Sequence, residues 1–233
     1  MFRKSVPVPP VDDGDKASPY RAKIGKKVGA KLARNPMVSR VGDGPVELYM
    51  RDGFASAQEC EALRGMIDEG ARPSTLFSGT EGPEYRTSYS CHMNPDDPLV
   101  RGINDRIVAL MGMDGTHGET IQGQRYAQGQ EYKPHCDYFP VNDSYWPHMR
   151  KQGGQRCWTA MLYLNTVAAG GETWFLHGGF MIPPAEGRLI VWNNLLADGS
   201  PSMETLHAAQ PVEAGTKYVL TKWFRERPWV MEE

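Results

Sequence analysis

CWTAMLYLN, residues 157–165, and KYVLTKWF, residues 217–224, are short runs of aliphatic, aromatic and β-branched residues bounded by Asn, Gly or charged turns. Three more of the same kind, ETIQGQRYA (119–127), ETWFL (172–176) and RLIVWN (188–193), are divided by Gly, Pro and Asn. Each is strand-length and rich in strand formers. Upstream the pattern is helical. In FASAQECEALRGMIDEG (54–70), Ser56 and Glu59 form a capping box, Cys60, Leu63, Met66 and Ile67 share a face, and Gly70 supplies the stop. A second helix is predicted from Pro98, after Asp96 and Asp97, with Ile103, Ile107, Leu110 and Met111 inward before Gly112. VELYM, residues 46–50, reads as a strand. Helices followed by strands predict an α+β chain with a closed or sandwiched antiparallel β half, such as a jelly roll.

With 233 residues, 40% of them hydrophobic, the chain can bury a sizeable core in one domain. No run of about 18 apolar residues is present, and MFRKSVPVPPVDDGDK lacks an apolar signal core, so a cytoplasmic protein without a membrane span is expected. Cys60, Cys91, Cys136 and Cys157 form no CxxC pair and read as reduced packing residues. Charge is uneven. Residues 1–40 hold ten Lys and Arg against three Asp, although the whole chain is at −2. Residues 1–44 therefore read as a basic, flexible tail, solvated or loosely docked, ahead of one domain over 45–233. Within it, Ile24, Val28 and Leu32 make a weak helical stripe, against which Gly25 and Gly29 each count about 1 kcal/mol. The alternative is a patch for nucleic acid, a membrane surface or a protein partner.

KPHCDYF, residues 133–139, places His135 and Asp137 two apart, on one face if the segment is extended. Alone this pair is a metal-binding edge or only a polar interruption of a strand. Far downstream lies His207, followed ten residues later by Lys217. Two histidines and a carboxylate are the facial triad of non-haem Fe(II) oxygenases, with positions left open for a cosubstrate and O₂. A lysine on the next strand suits the far carboxylate of a dicarboxylic cosubstrate.

Over about residues 46–228 the sequence resembles the prolyl 4-hydroxylase family of Fe(II)/2-oxoglutarate-dependent dioxygenases. The resemblance rests on VELYMRDGFASAQECEAL, YRTS (85–88), QRYAQGQEYKPHCDYF, GGQRCWTAMLYLN, GGETWF, GRLIVWNNLLADGSPSMETLHAAQPV and GTKYVLTKW, in that order. It implies a double-stranded β-helix, a cupin-like jelly roll, with flanking N-terminal helices. It implies that His135, Asp137 and His207 hold iron, and that Lys217, Tyr126, Thr173 and, less directly, Tyr163 bind 2-oxoglutarate. The family's substrate groove maps onto Arg86, Ser88, Glu119, Tyr132, Arg156, Trp223 and Arg225. The alternative reading puts Arg86 and Arg156 in internal salt bridges and Trp223 in the core. Arg225 departs from a histidine common in peptide-hydroxylating relatives, and residues 138–155 are longer than usual for part of a mobile lid. His92, His117, His148 and His177 read as structural or solvated.

By the same resemblance, O₂ and 2-oxoglutarate are consumed, succinate and CO₂ released and an aliphatic C–H hydroxylated, with ascorbate as a possible accessory reductant. The substrate is a prolyl residue of a peptide or protein, modified at position 4, or else a free amino acid or other small molecule. A non-catalytic jelly-roll binding module is the remaining reading.

Overall fold

The computed structural model of the chain describes residues 13–76, 82 and 84–230; residues 1–12 of the basic segment lie outside them. The helices are α1 (Pro19–Ala33), α2 (Ala57–Gly70), α3 (Pro98–Met111) and α4 (Trp146–Lys151). Of the strands, β1 (Ser39–Arg40), β2 (Leu48–Arg51), β3 (Arg72–Pro73), β4 (Tyr89–His92), β5 (Gln122–Tyr126) and β6 (Tyr132–His135) precede α4. Following it are β7 (Arg156–Tyr163), β8 (Ala169–Gly170), β9 (Thr173–Phe175), β10 (Phe180–Ile182), β11 (Leu189–Asn193), β12 (His207–Ala209), β13 (Val212–Ala214) and β14 (Lys217–Arg225).

They form an eight-stranded sheet, β1-β2-β11-β7-β14-β5-β4-β3, and a four-stranded sheet, β10-β9-β12-β6, with a short β13-β8 pair. Every pairing is antiparallel. This is the jelly-roll architecture the patterning implies.

The strand period of two sorts side chains to two cores. On β7, buried along its whole length, Trp158, Ala160 and Leu162 join one apolar cluster while Met161 and Tyr163 join the other. The first cluster lies between the large sheet and helices α1, α2 and α3, which supply Val28, Leu63, Ile67, Ile103 and Ile107. The second lies between the sheets and joins Met161, Tyr163, Trp192 and Val219 to Phe175 and Ala209. The face of β7, β11, β14 and β5 that carries the second cluster also carries the site.

Helices α2 and α3 begin and end where the sequence signals place them. Ser56 and Glu59 cap α2 reciprocally, Asp97 accepts from the amides of Leu99 and Val100, and Gly112 closes α3 at φ 66°. The basic segment differs from expectation. Residues 19–33 are not a solvated tail but a helix docked on the core, with Arg21, Gly25, Val28, Gly29 and Leu32 buried.

The two glycines counted against that helix are the reason it can dock. A Cβ at Gly25 would lie 3.0 Å from Asn193 Nδ2, and one at Gly29 would lie 2.1 Å from Glu47 Oε1. Close approach outweighs the local penalty. Arg21 then anchors the helix, reaching Glu226 at 3.0 Å and the Gly199 carbonyl at 2.6 Å. The structured unit therefore starts well before residue 45, the expected boundary. The lysines Lys23, Lys26, Lys27 and Lys31 occupy the exposed face.

Candidate active site

Strand pairing assembles the site. His207 opens β12 directly opposite His135, the last residue of β6. Asp137 lies two residues beyond His135, and one ligand atom from each of the three residues falls within 4.8 Å of the others. His135 Nε2 stands 4.0 Å from Asp137 Oδ1.

Hydrogen bonds decide which atoms face inward. His135 Nδ1 lies 2.9 Å from the Lys133 carbonyl and His207 Nδ1 lies 2.8 Å from the Thr205 carbonyl. A carbonyl only accepts, so both Nδ1 atoms carry a proton, which leaves Nε2 of each ring as the atom for the site. Burial first, then the neighbouring His207, pushes the His135 pKa down to about 3, so its ring is neutral at ordinary pH. Burial works to raise the Asp137 pKa, but His207, His135, Arg156 and the Thr159 hydroxyl hold it below the usual carboxylate range. The result is two imidazoles and one carboxylate, the donor set suited to Fe(II) with open positions. Tyr132 stacks on His135, and Phe175 and Trp192 flank His207, so the rings are held on several sides.

The triad opens into a cavity of about 520 Å³. At one end is Lys217, 1% exposed, whose ammonium lies 5.2 Å from the Tyr126 ring centre and 5.6 Å from that of Tyr163. No carboxylate lies within ion-pair distance of it among the described residues, and burial pushes its pKa down to about 7. A buried cation without its own anion fits an anionic ligand. Thr173 lines the same cavity; Tyr163 donates to its Oγ1 at 2.6 Å, which leaves the Thr173 proton for another acceptor.

The opposite wall carries Arg156, Glu119 and Trp223. Arg156 grips Glu119 with two bonds, 2.6 Å and 2.7 Å, and lies over the Trp223 ring at 4.0 Å and the Phe139 ring at 4.7 Å. Burial works to raise the Glu119 pKa, but Arg156 and Arg225 outweigh it and keep the carboxyl ionised.

With this geometry in place, residues 121–225 match the model of the 2OG-Fe(II) oxygenase superfamily. Over those residues the chain is 2OG-Fe(II) oxygenase-like. It is prolyl 4-hydroxylase-like: it is 36% identical over 178 residues to prolyl 4-hydroxylase subunit alpha-3 of Bos taurus, covering 74% of this chain and 32% of that one. Human prolyl 4-hydroxylase subunit alpha-1 is 34% identical over 192 residues, covering 79% and 35%. The chain thus spans about a third of the length of these curated relatives.

Among solved structures, the viral collagen prolyl hydroxylase of Paramecium bursaria Chlorella virus-1, in its 2-oxoglutarate complex, matches at TM-score 0.61 and 26% identity, over 76% of this chain and 95% of that one. A prolyl hydroxylase of Trichoplax adhaerens in complex with a hypoxia inducible factor peptide shares the fold, at TM-score 0.60 and 15% identity, over 88% and 90%.

The fold brings most of the expected residues to one cavity: His135, Asp137, His207, Tyr126, Thr173, Lys217, Arg86, Glu119, Tyr132, Arg156 and Trp223 all line it. Three expected contacts do not. Tyr163 is fully buried behind Thr173 and acts through it. Ser88, 1% exposed, accepts from Arg86 Nε at 3.1 Å instead of facing the cavity. Arg225, also 1% exposed, donates to Glu119 and, at 2.6 Å, to the Gly154 carbonyl, and is covered by Phe139.

The internal salt-bridge reading therefore holds for Arg156, paired with Glu119, but not for Arg86, which bonds to Ser88 and Gln122 instead; Arg225, outside that reading, shares Glu119 with Arg156. The longer segment 138–155 is tied down as well: Gln155 accepts from the Phe139 amide at 2.8 Å and donates to its carbonyl at 2.6 Å. His92, Gln122, Gln124, Met161 and Trp229 also line the cavity, unforeseen in the sequence. The strand period through Tyr126 would have found both glutamines.

Proposed function

We propose that the chain is an Fe(II)- and 2-oxoglutarate-dependent dioxygenase that hydroxylates a prolyl residue of a peptide or protein at position 4, releasing succinate and CO₂. The observation that carries this reading is the presence, in one cavity, of two histidine ring nitrogens and a carboxylate oxygen drawn together, with a buried lysine that makes no ion pair among the described residues. His135, Asp137 and His207 would hold iron, and Lys217 with the Thr173 hydroxyl would hold the far carboxylate of 2-oxoglutarate. Bound together, the metal and its cosubstrate supply the oxidising power to replace an unactivated C–H bond by C–OH, with O₂ consumed.

The protein's share is placement and exclusion of water. Tyr126 and Tyr163 flank the ammonium and keep its surroundings dry, which strengthens its attraction for a carboxylate. Arg86, set over Tyr132 at 4.9 Å and bonded to Gln122 at 3.0 Å, and Trp223, over Arg156, form the wall a peptide would meet. The prolyl hydroxylases among the relatives support a peptide as substrate. With Arg225 buried behind Phe139, the feature that favoured a free amino acid does not reach the cavity.

Four cysteines outside any disulfide fit a reducing compartment, and no helix among the described residues is long and apolar enough to cross a membrane. We place the chain in the cytoplasm on that basis, with ascorbate as the reductant to include in assays. The test is succinate formation with Fe(II), 2-oxoglutarate and ascorbate, together with intact-mass analysis of a proline-rich peptide library. A gain of one oxygen on proline is expected. Turnover on free proline alone would move the assignment to a small-molecule hydroxylase, and neither turnover nor cosubstrate binding would leave a binding module.

A further inference from the structure

The chemistry above uses Asp137 through one oxygen, and the structure accounts for the other. Asp137 Oδ2 accepts from the Thr159 hydroxyl at 2.7 Å. Thr159 Oγ1 in turn accepts from Asn194 Nδ2 at 2.9 Å. Neither Thr159 nor Asn194 touches solvent, both standing at 0% exposure.

A hydroxyl has one proton. Because the amide group of Asn194 can only donate through Nδ2, the Thr159 lone pair is taken, and its single proton is directed at Asp137. Thr159 is β-branched and sits mid-strand in β7, paired with Trp192 on β11 and Trp223 on β14, so its side chain has little rotational freedom. Asn194 is held independently: its amide donates to the Cys157 carbonyl at 2.8 Å and its carbonyl accepts from Ser202 at 2.9 Å. Its side-chain oxygen Oδ1 is buried with no hydrogen-bond partner, so the residue keeps an unsatisfied acceptor while Nδ2 serves Thr159.

We infer that Asn194 and Thr159 are positioning residues forming a one-way hydrogen-bond relay that fixes the plane of the Asp137 carboxylate, with Oδ2 occupied and Oδ1 turned to the two histidines. This rests on the metal-binding reading of the triad. The relay acts through Asp137 alone, since neither residue lines the cavity.

Three substitutions separate the relay from mere packing. Thr159→Val keeps the shape but removes the proton; Thr159→Ser restores it. Asn194→Asp replaces the donor by an acceptor of the same shape, which draws the Thr159 proton away from Asp137. Extra negative charge near a cation site would by itself tighten metal binding, so a weaker site in Asn194→Asp reports the direction of the hydrogen bond.

The experiment is anaerobic calorimetric titration of Fe(II) into each protein, with thermal melting as the check on folding. Thr159→Val and Asn194→Asp are expected to bind Fe(II) about 10–100-fold more weakly than the wild type, and Thr159→Ser to bind within about threefold of it. Affinities of Thr159→Val or Asn194→Asp within about twofold of wild type overturn the relay; if one variant does not fold, the other decides. A wild-type chain that binds no Fe(II) overturns instead the metal reading on which the relay depends.

Discussion

The two ends of the cavity each bury positive charge, and they treat it in opposite ways. At the far wall two guanidiniums, Arg156 and Arg225, converge on one carboxylate, Glu119, which is bonded to both. At the other end Lys217 is as deeply buried but makes no ion pair among the described residues; the Tyr126 and Tyr163 rings flank its ammonium, and burial outweighs the attraction of Glu172, so its pKa falls to about 7. A satisfied charge is part of the wall. An unsatisfied one is a place for a ligand. The contrast makes Arg225 part of the wall and, on the function proposed above, leaves Lys217 for the cosubstrate, although both are buried cations on β14.

The sharpest way to break the contrast is to remove each end's key charge. Glu119→Ala leaves two buried guanidiniums without their anion, and unfolding in urea should show a loss of about 3–5 kcal/mol. Lys217→Ala removes a charge that has no carboxylate partner, so stability should hold or rise. Its effect should instead be a weakening of 2-oxoglutarate binding by roughly 100-fold, about 2.7 kcal/mol, with metal affinity unchanged. Equal losses of stability in the two variants would erase the distinction.

Acidity gives a finer test. Because the folded-state pKa of Lys217 lies near 7, below its ordinary 10.5, the folded chain without cosubstrate releases this proton while the unfolded chain keeps it. The unfolded state then binds more protons between pH 7 and 10.5, so this residue makes the free protein more stable as pH rises through that window. Carboxylate binding needs the ammonium. Affinity for 2-oxoglutarate should accordingly fall roughly 25-fold from pH 6.5 to 8.5, with proton uptake on binding measurable by calorimetry in two buffers. Lys217→Ala should lose that pH dependence.

The smallest expected effect concerns the helix that backs the large sheet. Gly199 has φ 84°, and a Cβ there would lie 2.3 Å from the Ser18 carbonyl and 2.6 Å from the Ala22 amide. Gly199→Ala should therefore destabilise the chain by about 1 kcal/mol in a thermal melt. If α1 were a detached tail, that substitution would cost only its backbone strain, and shortening the chain to residue 35 would leave the melting temperature unchanged.

What the sequence could and could not reveal follows from the range of each interaction. Helices α2 and α3 were legible to the residue because caps and stops act within one turn of chain. The triad was legible from His135 and Asp137 at a strand spacing, with His207 and Lys217 downstream and the family resemblance to connect them. Docking of α1 was not, because a glycine's local cost is written in its own residue while the space it leaves is filled by Asn193 or Glu47, remote in the chain. The same holds for Arg225, which reads as a substrate-groove residue until Glu119 and Phe139 are found to cover it. Thr159 was hidden inside an apolar run, where only strand parity marks it as facing the site.

Diffraction at the iron edge, from crystals grown anaerobically with Fe(II) and 2-oxoglutarate, tests the account most directly. It predicts one iron held by the Nε2 atoms of His135 and His207 and by an oxygen of Asp137, with the free carboxylate of 2-oxoglutarate on Lys217. Iron bound elsewhere, or that carboxylate seated on Arg156 or Arg225 instead, would contradict it.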